Sequence, residues 1–247
     1  MLDVGILRMA PVVAGVKILI MATSPLQVFF DKPGLTHEYC NTQAIYSLRY
    51  DGYSMYADIL QRYQKQLNTG VFWADQGWKN ISHYLVADSR KGLWEFSNAI
   101  KEFRSFYARA VRYTRAGDLG KGIFFLGAAA HLVQDVCVPH HAGGKLFDGH
   151  QEYESWAEIH RYQFRAGRNA IYKPHIPAQQ WLIDNAAIAV DWLAKTTELS
   201  SETQFREATH CVLPLAQHST AGLFQHFFAN LEKRDGLVFG NQEAMVI

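Results

Sequence analysis

From Thr36 onward the apolar residues recur at intervals of three and four, the period of an amphipathic helix rather than the alternation of a strand. The pattern predicts a first helix with Thr36 as its N-cap, carrying His37, Cys40, Ala44, Ile45 and Leu48 and stopping near Asp51-Gly52. A second helix is predicted over 54–67, with Met55, Ile59, Leu60 and Tyr63 on one side and Asn68-Thr69-Gly70 as its stop. Residues 73–90 hold no lasting period and are expected to form a structured loop. Leu93, Phe96, Ile100, Phe103, Tyr107 and Ala110 then mark a long helix that closes at Ala116-Gly117. The next helix, over 119–136, is poor in polar groups and contains Gly127-Ala128-Ala129-Ala130, so neighbouring helices can approach its backbone; it is expected to be the central buried helix. A loop over 139–144 follows, then helices over 148–165, 177–198 and 201–232, with Pro214 expected to kink the last.

No internal repeat, low-complexity tract or linker interrupts this series, which predicts an all-α fold in a single multi-helix domain. The chain of 247 residues is 49% hydrophobic, which supplies a substantial core and excludes disorder. Its formal net charge of +1, with no basic run, lacks the footprint of a duplex nucleic-acid binder. Cys40, Cys137 and Cys211 are far apart and form no CxxC unit, so they read as buried thiols, with one disulfide left open. Residues 9–30 are largely apolar but broken by Pro11, Lys17 and Pro25, too interrupted for a transmembrane helix. Residues 1–30 are set apart as a possible signal or N-terminal apolar segment, and 31–247 as the functional domain; Arg8 and Lys17 beside the apolar run resemble a secretory signal, but no A-x-A cleavage site follows.

The chemical signal is eleven histidines, four of which share a span of 24 positions with two paired carboxylates. His131 with Asp135 and His150 with Glu154 both stand at i,i+4 on predicted helices, which places imidazole and carboxylate side by side. The first pair lies on a helix that is apolar nearly all round, where an uncompensated Asp costs several kcal/mol. With His140 and His141 nearby, this donor set suits Zn²⁺. There is no HExxH motif, and the glycine cluster over 117–122 lacks the Ser or Thr after Lys121 that a phosphate-binding loop requires.

These residues resemble the zinc-dependent phospholipases C of bacteria, which share an all-helical trinuclear zinc fold with single-strand-specific zinc nucleases. The resemblance covers roughly residues 36–158. It rests on His131, Asp135, His141, His150 and Glu154 in family order, and on upstream counterparts at His37, Asp75 in an aromatic-rich Ala-Asp segment, and His83 in Ser-His-aromatic. It implies that Asp75, His83 and His131 hold one zinc, that Asp135 bridges it to a second zinc taking His37, and that His141, His150 and Glu154 hold a third. Two departures stand out. Family members complete the His37-type zinc with an N-terminal Trp, and here no Trp precedes Trp73. Choline-specific members line the headgroup pocket with aromatics where this chain has Gln76 and Asn80; Gln76, Asn80 and Trp78 are therefore the expected substrate contacts, without an evident cation box.

The resemblance implies a zinc-dependent phosphodiesterase that cleaves phospholipid to diacylglycerol and a phosphorylated headgroup, with Asp75 also a general base. A monomer working on phospholipid at a membrane surface, secreted or at the cell envelope, is expected. The rivals are a single-strand-specific zinc nuclease and a non-catalytic zinc-binding relative. Glu154 favours lipid over nucleic acid, since the nucleases usually carry Asp there. His160, His175, His210, His218 and His226 have no matching ligand role, and His140 is expected to support a ligand rather than be one.

Overall fold

The computed structural model describes residues 34–76, 81–93, 97–173, 175–237 and 239. Trp78, Asn80 and the apolar run of residues 9–30 lie outside the described residues, as does Trp94. Nine α-helices are found among the described residues: α1 (Leu35–Tyr50), α2 (Ser54–Arg62), α3 (Gln64–Asp75), α4 (Ala99–Arg115), α5 (Leu119–Asp135), α6 (Pro139–Gly143), α7 (His150–His160), α8 (Gln180–Ala189) and α9 (Glu202–Asp235). Short 3₁₀ turns follow α7 (Arg161–Gln163) and α8 (Val190–Lys195). No strand occurs among the described residues, and no helix there is long and apolar enough to cross a membrane. The fold is all-α, a single multi-helix domain.

Helix α5 is the axis. Thirteen of its residues are buried, from Leu119 to Asp135, and α3, α4 and α9 pack around it. The small residues work as the sequence suggests, in reciprocal pairs. A Cβ on Gly127 would stand 2.0 Å from the Leu67 carbonyl oxygen of α3, and a Cβ on Gly70 would stand 1.8 Å from the Phe124 carbonyl oxygen of α5. The two backbones therefore touch, and only glycine on each side permits it.

That contact explains the main departure from the expected elements. Asn68-Thr69-Gly70 does not stop a helix: the chain leaves helical geometry one turn earlier, at Tyr63 (φ −101°, ψ 21°), and α3 then runs through Gly70 to Asp75. Gly70 serves the helix crossing, and Asn68 accepts a hydrogen bond from Asn41 Nδ2 at 3.0 Å. Three smaller differences follow from caps and turns. Gly34 rather than Thr36 is the N-cap of α1. Residues 139–143 form a short helix, because Pro139 at its start has no N–H to lose and Gly144 closes it at φ 66°. Helices α4, α5 and α9 open on Asn98, Asp118 and Ser201, each side chain accepting from a first-turn N–H, and Ser201 and Gln204 form a capping box. Pro214 lies inside α9 without ending it. All three cysteines are free thiols, Cys40 and Cys137 buried.

Gly127→Ala should lower stability by about 1–3 kcal/mol, since overpacking against a backbone oxygen outweighs the roughly 1 kcal/mol that Ala gains in helix propensity. Thermal unfolding checks it: a Tm equal to or above wild type would mean the two backbones are not in contact.

Candidate metal centre

Each donor sits where a helix end or a pinned loop holds it. His131 and Asp135 occupy the last two turns of α5, one turn apart on the same face. His37 lies in the first turn of α1, and Asp75 is the last residue of α3, so it lies in a helix and not in the expected loop. His83 is on the segment of residues 81–93, whose Leu85 and Ala87 N–H groups donate to the carbonyls of His141 and Ala142 on α6 at 3.2 and 3.0 Å. His150 and Glu154 lie on the first turns of α7.

Asp135 is the hub. Its Oδ1 lies 3.3 Å from His37 Nε2. Its Oδ2 lies 2.7 Å from His83 Nδ1, 3.0 Å from His131 Nε2 and 3.9 Å from His141 Nδ1. Asp75 Oδ1 stands 3.8 Å from His131 Nε2 and 4.0 Å from His83 Nδ1. A second carboxylate, Glu154, places Oε1 3.0 Å from His150 Nε2 and 3.5 Å from His141 Nε2. Three groups result, each with its ligand atoms within 4.8 Å of one another: His37, His131 and Asp135; Asp75, His83 and His131; His141, His150 and Glu154. All eight residues expected as ligands thus converge. Gln76 follows Asp75 at the exposed end of α3.

Two observations test whether these residues fit zinc. A tetrahedral zinc with bonds of 2.0–2.2 Å separates its ligand atoms by about 3.3–3.6 Å, and the separations above bracket that range. The second is a matter of proton direction. Thr220 Oγ1 donates to the Ala216 carbonyl at 2.7 Å, so it accepts from Gln134 Nε2 at 3.1 Å, which also donates to Asn41 Oδ1 at 3.0 Å. This fixes the Gln134 amide, leaving Oε1 to accept from His37 Nδ1 at 2.8 Å. His37 therefore carries its proton on Nδ1 and turns the Nε2 lone pair toward the Asp135 oxygen 3.3 Å away. Burial and the neighbouring His131 lower the His37 pKa, so a second proton is disfavoured. Lone pair facing lone pair is repulsive unless a cation lies between them, and the donor set suits Zn²⁺.

Gln134, Asn41, Asn68 and Thr220 are the functional residues that sequence reasoning missed. The available signal was a glutamine on an otherwise apolar helix, one position before Asp135. Around the other group, Tyr84 stacks on His141 at a centroid distance of 4.6 Å, and His140 stacks on His150 at 4.8 Å while its Nε2 donates to the Asp148 carbonyl at 3.0 Å. Burial lowers the His140 pKa to about 4, so it remains a neutral support. His160 stacks on Trp156 and its Nδ1 donates to the Trp156 carbonyl; neither it nor His175, His210, His218 or His226 enters a donor group among the described residues.

The family model for zinc-dependent phospholipase C matches residues 36–208 of this chain. No curated protein matches the sequence. Among solved structures, the alpha toxin of Clostridium absonum aligns with a TM-score of 0.72 at 20% identity, over 84% of this chain and 67% of that one. The alpha-toxin of Clostridium perfringens avian strain SWCP aligns with a TM-score of 0.70 at 20% identity, over 83% and 66%. The chain spans about two thirds of the length of either toxin, and at this identity the likeness establishes the fold. The chain belongs to the zinc-dependent phospholipase C family and is a zinc-dependent hydrolase of that type.

Asp135→Asn should remove more than one equivalent of bound zinc, because a neutral amide cannot serve His37 on one oxygen and His83 with His131 on the other. Unchanged stoichiometry by elemental analysis would take Asp135 out of the centre, while His160→Ala should keep its metal. In the metal-free protein, burial opposes charge on His131 but Asp135 overrides it and raises the pKa to about 9; burial likewise opposes charge on His150, which Glu154 raises. The sign is that of a raised base: the stabilisation is fully present below the ordinary 6.5 and is lost as pH rises through about 9. Zinc must displace these protons, so its binding should release protons at neutral pH and tighten as pH rises toward 9. Titration calorimetry in buffers of different ionisation enthalpy reads this directly, and pH-independent affinity would refute it.

Proposed function

We propose that this protein hydrolyses phospholipids on the glycerol side of phosphorus, releasing diacylglycerol and a phosphorylated headgroup, with three zinc ions held by the donor groups around Asp135 and Glu154. The observation that carries the reading is the uneven exposure of the centre. The side chains of His83, His131 and Asp135 are 2%, 1% and 5% exposed, whereas the carboxylates at its two ends, Asp75 and Glu154, are 46% and 45% exposed. A centre built for structure alone is closed; this one is sealed by the protein on one side and open along a line between two carboxylates.

Zinc, when bound, supplies a Lewis acid that acidifies water and withdraws charge from phosphoryl oxygens. Asp75, half-exposed at the end of α3, orients the attacking water and accepts its proton. The bond from phosphorus to the glycerol oxygen breaks, that oxygen leaves as the diacylglycerol hydroxyl after taking up a proton, and the headgroup keeps the phosphate. Asp135, buried behind the reacting atoms, holds His37, His83 and His131 in place. Gln76, with Trp78 and Asn80 of the same segment, is assigned to the headgroup. Gln76 and Asn80 stand in the sequence where choline-specific members carry aromatics, so the reading does not extend to choline specificity. Residues 31–247 are assigned as the catalytic unit, acting from outside the cytoplasm, secreted or at the cell envelope. The support for that location is the interrupted apolar run of residues 9–30 and the harm that diacylglycerol release would do to the producing cell.

The zinc-loaded protein should turn over phospholipid vesicles and a soluble chromogenic phosphodiester, and Asp75→Asn should lower kcat by about a hundredfold or more. Cleavage of single-stranded DNA without lipid turnover would replace this reading with a nuclease. Full zinc occupancy with no turnover of any of the three would make the protein a non-catalytic relative.

A further inference from the structure

Helix α1 has two unlike sides. His37, Asn41, Ala44 and Leu48 fall on one, facing the metal centre and the core. Tyr39, Tyr46 and Tyr50, spaced at i, i+7 and i+11, form a column on the other, and Tyr46 and Tyr50 are 44% and 58% exposed. Beside that column runs the chain that leaves α7, and it matches the tyrosines with arginines. Arg161 lies 4.4 Å over the ring of Tyr162, whose edge meets Tyr39 at 5.1 Å. Arg165 lies 5.7 Å over Tyr46, and Arg168 lies 5.3 Å over Tyr50.

None of these three guanidinium groups pairs with a carboxylate among the described residues. Two acids approach this stretch of chain. Asp51 accepts from the N–H groups of Asn169 and Ala170 and from the Tyr172 hydroxyl, and Glu158 accepts from Arg161 through its carbonyl. On a chain whose formal charge is +1 overall, this is a local concentration of guanidinium groups that make no ion pair among the described residues. The tyrosine faces are covered by their own arginines, which removes the free stacking surface that single-stranded nucleic acid uses. Arg161 is half-buried and spends Nη1 on the Glu158 carbonyl and Nη2 on the Tyr162 hydroxyl, whereas Arg165 and Arg168 are exposed and their N–H groups suit phosphate and carboxylate. Ile159 and Tyr162 stand beside them, 73% and 67% exposed, an apolar and an amphipathic side chain among cations. That is the composition of a bilayer interface. The position also fits: Arg161 keeps helical geometry at the end of α7, seven residues and two turns beyond the exposed Glu154, and so falls on the same side of that helix.

We propose that this tyrosine–arginine face is the surface by which the protein docks on a bilayer containing anionic phospholipid, with Arg165 and Arg168 on the headgroups and Ile159 inserted beneath them. The docking brings the open edge of the centre to the lipid, and in that respect it rests on the phospholipid reading above.

The test compares the zinc-loaded wild type with the double variant R165Q/R168Q. Binding to phosphatidylcholine vesicles, with and without phosphatidylserine, is read immediately after mixing by energy transfer from tryptophan to a dansyl lipid. Wild type should bind the phosphatidylserine vesicles more tightly and lose that advantage in high salt. The variant should bind them about thirtyfold more weakly, at about fivefold per guanidinium, while keeping its zinc and its turnover of the soluble phosphodiester; R165K/R168K should retain most of the binding. Equal binding by wild type and R165Q/R168Q overturns the proposal, as does wild-type indifference to phosphatidylserine or capture of a single-stranded oligonucleotide in place of vesicles. Binding is read apart from turnover. A wild type that docks through these arginines yet cleaves no phospholipid removes the substrate reading and leaves the docking face standing.

Discussion

A carboxylate buried at the end of an apolar helix is the constraint on which this structure depends. Removing Asp135 from water costs on the order of several kcal/mol unless charge returns to it. Four imidazoles surround it, His37 on one oxygen and His83, His131 and His141 around the other, and His131 supplies the answering charge in the metal-free protein. They arrive from α1, the segment of residues 81–93, α5 and α6. Neutralising a single group therefore ties four stretches of chain to one point. The same requirement makes protons and zinc competitors there. In the metal-free protein a proton on His131 answers the charge, and the Gln134 amide reserves His37 Nε2 as an unprotonated donor.

Packing makes the convergence geometrically possible. Gly70 and Gly127 let α3 and α5 meet backbone to backbone, and the approach carries forward along both helices. Five residues beyond Gly70 the α3 chain reaches Asp75, four residues beyond Gly127 the α5 chain reaches His131, and the two side chains stand 3.8 Å apart. A methyl group at the crossing would push them out of ligand range together. The small-residue patch thus does chemical as well as structural service, since the distance between two ligands is set about a turn away by the absence of two Cβ atoms.

What was legible in the sequence, and what was not, divides by the range of the interaction. His131 with Asp135 and His150 with Glu154 announce themselves because the i,i+4 spacing is local and one pair lies on a helix with little other polarity. The all-α class is legible for the same reason. Asp75 and His83 carry no such pattern and are legible only through the family resemblance, because their partners His131 and Asp135 are some fifty residues away. Asn68-Thr69-Gly70 has the composition of a stop but is none, since the glycine answers to α5 and not to the end of its own helix. Gln134 was overlooked although it is as anomalous on that helix as its neighbour Asp135. A buried amide has no charge to neutralise, and its role appears only when the hydrogen-bond directions are followed back from Thr220.

The donor groups are not separate modules, and the reason lies in α6. A helix of five residues cannot stand on its own hydrogen bonds, so His141 is placed by what grips α6 from outside. Leu85 and Ala87 bind its carbonyls, Lys145 N–H returns to the His140 carbonyl, and Tyr84 covers the imidazole of His141. Leu85, Ala87 and Tyr84 belong to the same short segment that carries His83. Backbone that positions a donor for one group therefore positions the donor-bearing helix of another, and Asp135 lies within 4 Å of both His83 and His141. Asp135 approaches a histidine of each group, and the strip of residues 83–87 serves two of them, so the three groups are built as one unit.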